Sequence, residues 1–180
     1  MYESIKNRRT IRKYLQKPVP KEVLTKCVEA ARLSPNGLNM QPLRYMVVDD
    51  KELLPKVFST LGWAMNLPEY YPREGEKPQT YIVIMIEGKA RTPIHDVAIA
   101  SMSISMVAYE EGLGTCIFGS VNRDKLKELL EIPQELSVEL VVALGYPAEK
   151  PVVEPVVDGE TNYWLDKNGG LHVPKRTSNA

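Results

Sequence analysis

The sequence is poor in the residues that most often announce chemistry. Its 180 residues include two cysteines, two tryptophans, two phenylalanines and two histidines. Cys27 and Cys116 form no CxxC pair and His95 and His172 are isolated, so a Cys/His metal site is not expected. Charge bias is absent too: Lys plus Arg equals Asp plus Glu at 23 each. That balance removes any general attraction to nucleic acid or membrane, so an anion site, if there is one, must be local. No apolar run reaches membrane-spanning length, and Met1 to Leu15 has no apolar signal segment. Together with the unpaired cysteines, this predicts free thiols in a cytoplasmic protein. No GxGxxG or Walker A sequence occurs. His95-Asp96 opens a helical pattern, where Asp is expected as a first-turn dipole partner, and Ser101 and Ser103 read as small packing residues.

What is present starts with "KNRRTIRKY", which gathers Lys6, Arg8, Arg9, Arg12 and Lys13 around the hydroxyl of Thr10. Two guanidiniums beside a hydroxyl have the chemistry of a phosphate site, since planar forks make bidentate charge-assisted bonds. By itself the stretch is better explained as a solvated basic segment before a helix. A nucleic-acid patch is discounted, because only Tyr2 and Tyr14 accompany the cations and no recognition helix follows.

Periodicity then predicts a helix entered through Pro20 with a stripe from Val23 to Leu33, and a strand at "LRYMVVDD". A helix is expected over "KELLPKVFSTLGWAMN", and an exposed loop over "LPEYYPREGEKPQT". "YIVIMIEG" reads as a strand buried on both faces. "TPIHDVAIASMSISMVAYEEGLG" reads as a long helix, apolar nearly all round, at the centre of the molecule or in a subunit interface. A strand at "TCIFG", a helix capped by Asn122 and a strand at "LSVELVVALGYP" follow. Residues 150–180 read as a Pro- and Gly-rich arm, not a second domain. The fold class is α+β, with a central mixed or antiparallel sheet flanked by helices, in one domain over 1–180.

Two loops carry further candidates. "SPNGLNMQP" offers the carboxamides of Asn39 and Gln41, which suit a heterocycle edge; Asn36 and Gly37 are explained as left-handed turn positions. In "GLGTCIFG", Gly112 and Gly114 let the chain turn sharply, while Gly119 permits close approach of a ligand to the backbone. Cys116 between them reads as a core residue.

In this order the segments resemble the nitroreductase family of flavin enzymes. Arg8-Arg9-Thr10-Ile11-Arg12-Lys13-Tyr14 matches its RRS-x-R-x-Y/F opening, "SPNGLNMQPL" its PS-x-x-N-x-QPW loop, "GLGTCIFG" its GLGTCW-x-G element, and Lys175-Arg176 its C-terminal basic pair. The resemblance implies FMN, a homodimer with flavin at the interface, and hydride delivered from NADH or NADPH in a ping-pong cycle to a nitroaromatic, quinone or similar acceptor. It implies that Arg8, Arg9, Thr10 and Lys175 or Arg176 hold the phosphate, and that Arg12 tunes the flavin edge. It further implies that Asn36, Asn39 and Gln41 contact the ribityl chain or pyrimidine from the partner, and that Ile117, Phe118 and Gly119 pack on the ring. No side chain need act as acid or base. Leu43 departs from the family's Trp, and no residue between Trp63 and Thr80 matches the flavin-contacting Asn and Lys of some members. Glu69-Tyr70-Tyr71 lacks the spacing of the lid element of the related iodotyrosine deiodinases, so deiodination is not supported. A flavin-binding protein without turnover and a member with a dedicated substrate are the alternative readings.

Overall fold

A computed structural model describes residues 1–89 and 91–177. The order is α1 (Tyr2–Asn7), α2 (Lys21–Arg32), β1 (Leu43–Val48), α3 (Leu54–Phe58), β2 (Thr80–Glu87), α4 (Pro93–Glu110), β3 (Gly114–Phe118), α5 (Arg123–Leu129) and β4 (Leu136–Gly145), then β5 (Val152–Pro155), β6 (Trp164–Leu165) and β7 (Leu171–Lys175).

The main sheet is antiparallel in the order β1-β2-β4-β3. Because side chains alternate along a strand, β2 divides its apolar run between two cores. Tyr81, Val83 and Met85 join Phe58, Trp63, Phe118 and Leu126 on one face. Ile82, Ile84 and Ile86 join α2 and α4 through Leu24, Cys27, Val97, Ala100 and Ile104 on the other. The strand is buried from Thr80 to Ile86, as its composition predicts. Cys27 and Cys116 are buried free thiols, and burial pushes them up to about 12 and about 11.

Pro20 precedes α2, whose buried residues Val23, Leu24, Cys27 and Ala31 follow helical spacing. Asn122 caps α5 by accepting the Lys125 N–H at 3.2 Å. Asn122→Ala is therefore expected to lower stability by about 1 kcal/mol, read as a shift in urea midpoint with unchanged slope.

Two expectations need correction, and a third gains detail. The helix expected over 51–66 lasts just five residues, Leu54–Phe58. Beyond it the chain turns to meet the end of β3, where the Gly62 N–H donates to the Ser120 carbonyl at 2.9 Å and Leu61 bridges Val121. The loop at 67–80 is not wholly exposed: Tyr70 is buried against Ala64 and Leu171. The arm expected over 150–180 contains a second sheet of order β5-β7-β6, with residues 178–180 outside those described. Two- to five-residue strands are too short to carry a period.

Candidate functional site

The N-terminal basic segment crosses the sheet in extended form, pinned by two anchors three residues apart. Ile11 and Tyr14 are buried in the core. They rest on Gly114 and Gly145, which oppose each other across β3 and β4. A Cβ at Gly114 would lie 2.5 Å from Ile11 Cγ1, and one at Gly145 2.8 Å from Tyr14 Cδ1. Gly114 is thus required by close packing, not by the sharp turn expected of it; the turn belongs to Gly112, with φ +77°. The Ile11 N–H donates to the Thr115 carbonyl at 2.9 Å. Glu149 Oε1 accepts the N–H groups of Arg12 and Lys13 at 2.5 and 3.1 Å. Burial pushes the Glu149 carboxyl up, and those two N–H groups oppose the shift.

With Ile11 and Tyr14 facing inward, Arg8, Thr10 and Arg12 line a cleft of about 300 Å³ with Tyr163, Val173 and Lys175. Arg8 Nε is buried and has no hydrogen-bond partner among the described residues. Desolvation, and secondarily Arg9, holds this guanidinium below the usual arginine range. A buried cation lacking a counter-charge is costly, and an oxyanion in the cleft would relieve it. Arg9 lines the cleft as well, yet its guanidinium donates to the carbonyls of Arg8 and Lys6 at 2.5 and 2.6 Å. Arg176 is exposed just past β7 and is not among the lining residues.

A second cleft of about 330 Å³ adjoins the first through Arg12 and Tyr163, and is lined by Ala64, Asn66, Ile117, Phe118 and Gly119. The Arg12 guanidinium lies 5.0 Å from the Tyr163 ring centroid, a cation–π distance. Among the described residues a Cβ at Gly119 would meet only Leu140 Cδ2, at 3.7 Å. The chain's own packing therefore does not demand a glycine there. Tyr163 and Asn66 were not assigned from sequence. Asn66 ends the helix expected over 51–66, which the chain abandons after Phe58, and nothing local distinguishes Tyr163 from other arm residues.

The carboxamide loop stands apart. Asn36 and Gln41 line a separate hollow of about 300 Å³ with Ser34, Arg44 and Asp96. Asn36 and Gly37 are not the left-handed residues: Asn36 is extended, and positive φ falls on Leu38, Asn39 and Gln41 at 54°, 54° and 51°. Asn36 Oδ1 accepts the Gln41 N–H at 2.8 Å and so shapes the turn. Gly37 is needed for space, since a Cβ would lie 2.1 Å from Thr92 Oγ1. Asp96, buried in the first turn of α4, accepts the Gly37 N–H at 2.9 Å and ties loop to helix. Within one chain, Asn36, Asn39 and Gln41 do not line either basic cleft. Among the described residues no cluster of three metal-ligating side chains occurs, and no helix is long and apolar enough to cross a membrane.

The family model described as the nitroreductase family matches residues 5–81 and 66–146. The chain belongs to the nitroreductase family. An NADH dehydrogenase/NAD(P)H nitroreductase assigned in Methanothermobacter thermautotrophicus is 31% identical over 166 residues, 87% of this chain and 82% of the relative. An iodotyrosine deiodinase of Thermotoga neapolitana is 22% identical over 164 residues, 82% of this chain and 88% of the relative. Among solved structures, an FMN-dependent nitroreductase of Clostridium difficile R20291 superposes with a TM-score of 0.72 at 31% identity, covering 83% of this chain and 88% of that one. The α+β arrangement is that of the nitroreductase fold.

Proposed function

We propose that this chain is an FMN-dependent oxidoreductase passing hydride from NADH or NADPH to a nitroaromatic, quinone or similar conjugated acceptor in a ping-pong cycle. It would act as a single-domain homodimer in the cytoplasm. The observation that carries the reading is the buried, unpartnered Nε of Arg8 in a cleft shared with Thr10 and Lys175. Such a donor set fits a phosphate, and among the described residues no carboxylate lines the cleft. The FMN dependence by which the C. difficile relative is named and the NAD(P)H in the name of the M. thermautotrophicus relative support the cofactor and the donor.

When bound, FMN supplies a ring that accepts and gives up hydride. Arg8, Thr10 and Lys175 would hold its phosphate, with Arg9 stiffening the segment through its carbonyl bonds. Arg12, between the two clefts, would place a cation where negative charge gathers on the reduced cofactor. The backbone of Ile117 to Gly119 would offer the flat floor that Gly119 leaves open.

Exposed apolar residues support the dimer. Leu38 and Ile94 are 74% and 77% exposed, and the Gly37–Asp96 bond places their segments together. Isolated, that patch is unfavourable; covered by a second copy, it would carry Asn36, Asn39 and Gln41 toward the partner's cleft. Deiodination gains no support from the 67–80 loop, because Tyr70 is locked in the core.

The test is an anaerobic visible spectrum before and after NADH, then NADPH. Flavin bands that bleach are the expected result. Bands that persist with both nucleotides sink the hydride-donor half, and a colourless protein that takes up no added FMN sinks the cofactor assignment.

A further inference from the structure

The arm contains a cluster of charge that no role described above requires. His172, the second residue of β7, has its Nδ1 3.0 Å from Glu154 Oε2 and its Nε2 3.4 Å from Asp166 Oδ2. Its ring stacks on Trp164 with centroids 4.1 Å apart and planes 17° from parallel. Trp164 Nε1 in turn donates to the other oxygen of Glu154 at 2.6 Å. Asp166 is itself fixed, accepting the N–H groups of Asn168 and Gly170 at 2.7 and 2.9 Å. The three strands of the small sheet therefore meet at one imidazole: Glu154 from β5, Trp164 from β6 and His172 from β7.

Each ring nitrogen faces an acceptor. A neutral imidazole has one N–H and leaves one nitrogen lone pair against a carboxylate, whereas the imidazolium donates at both positions. The cluster is not a metal site, since the carboxylates lie on opposite edges of the ring and converge on no common point. The strand it holds is the one that serves the basic cleft. Leu171, Val173 and Lys175 alternate with His172 and line that cleft, as the two-residue period of a strand demands.

The geometry points to His172 as a protonation-dependent clasp: as an imidazolium between Glu154 and Asp166 it locks β7 and so positions Lys175 for an anion in the basic cleft. His172 is a positioning residue, acting through Lys175 and touching no cofactor itself. The clasp stands on the arm's own geometry; its consequence for FMN rests on the function proposed above.

The direction with pH follows from the groups that face the ring. Glu154 from β5 and Asp166 from the turn after β6 are the charged partners, and Trp164 does not titrate. Hydrogen bonding to Glu154, then to Asp166, raises His172 above its ordinary value. A raised folded-state value means that the imidazolium contributes fully below the unfolded value of about 6.5 and is lost as pH rises through the folded one. The carboxylates do not end the clasp in the same window. Glu154 is lowered first by the Trp164 N–H, and Asp166 first by the Gly170 N–H. Their contribution fails only on the acid side, as pH falls through their depressed values.

Two measurements on this chain decide the matter. His95 and His172 are the sole histidines, so the apoprotein gives two imidazole NMR signals, and His172→Gln assigns them. The His172 signal should titrate above 6.5 and Glu154→Gln should bring it down; a signal at or below 6.5 in the wild type overturns the clasp. FMN affinity is then measured by fluorescence quenching from pH 6 to 9. The phosphate's own second ionisation lies near 6, so the informative quantity is the ratio of the dissociation constant of His172→Gln to that of the wild type at each pH. That ratio should be about tenfold at pH 6, the scale of one charge-assisted hydrogen bond, and approach one at pH 9. A ratio independent of pH shows a structural role only and overturns the proposal. A His172 that titrates as expected in a protein with no affinity for FMN at any pH leaves the clasp standing and overturns the cofactor reading instead.

Discussion

Arg8→Met should yield a protein that loses FMN on purification yet is no less stable than the wild-type apoprotein. The two halves have one cause. Arg8 is half-buried, its Nε has no partner among the described residues, and desolvation holds the group below the usual arginine range. In the apoprotein this cation has been taken partly from water without compensation at Nε, so a methionine of similar length removes a penalty and keeps the packing. With a phosphate in the cleft the balance reverses, because the guanidinium fork meets its oxyanion in a partly desolvated setting. Removing one member of such a pair costs about 2–5 kcal/mol, so a loss of at least about thirtyfold in FMN affinity is expected. Arg9→Met is the control. Arg9 is already committed to the carbonyls of Lys6 and Arg8, so its loss should lower stability more and affinity less. Fluorescence titration with FMN and urea denaturation of each apoprotein separate the two patterns. Equal FMN affinity in Arg8→Met and wild type would remove Arg8 from the phosphate site.

The same residues explain how far sequence reading reaches. The cations at Arg8 and Arg12 stand out as a local excess in a neutral chain, whereas the anchoring of Ile11 and Tyr14 against Gly114 and Gly145 shows only in the fold. Strand β2 is legible because its uninterrupted apolar run permits few other structures, and β4 because Leu136, Val138 and Leu140 alternate with Ser137 and Glu139 before a short apolar run. Legibility fails where a role depends on what arrives from elsewhere in the chain. Tyr163 matters only because the arm carries it to Arg12, and Asn66 because the chain after α3 abandons its helix to meet Ser120. The turn at 34–41 fails for another reason: Asn and Gly favour left-handed geometry in general, but here Asn36 supplies a side-chain acceptor while Leu38 takes the strained backbone. Propensity names the residues able to adopt a conformation, and tertiary contacts choose among them.

The glycines of "GLGTCIFG" make this choice measurable, because three identical residues serve three different needs. Gly112 has φ +77° with nothing near a would-be Cβ, so its requirement is backbone conformation. Gly119 has space and ordinary φ, so its requirement lies outside the chain's own packing. Gly114 would place a Cβ within 2.5, 2.6 and 2.9 Å of three Ile11 atoms, all under the limit of real contacts. Ile11 cannot simply turn aside, because it is buried and its own N–H is bonded to Thr115. Gly114→Ala must therefore displace the segment that carries Thr10 and Arg12 into the clefts. An overpacking cost of about 1–3 kcal/mol is expected, together with a fall in FMN affinity, although no atom of Gly114 lines either cleft. Gly119→Ala should show the opposite signature, unchanged stability with impaired cofactor binding. The close contact is tested by adding Ile11→Ala. If the two side chains compete for one space, the double variant will be more stable than the sum of the single losses predicts, by about 1 kcal/mol or more. Strict additivity in denaturation would mean that Gly114 answers to something other than Ile11, and the link from this element to the basic segment would be lost.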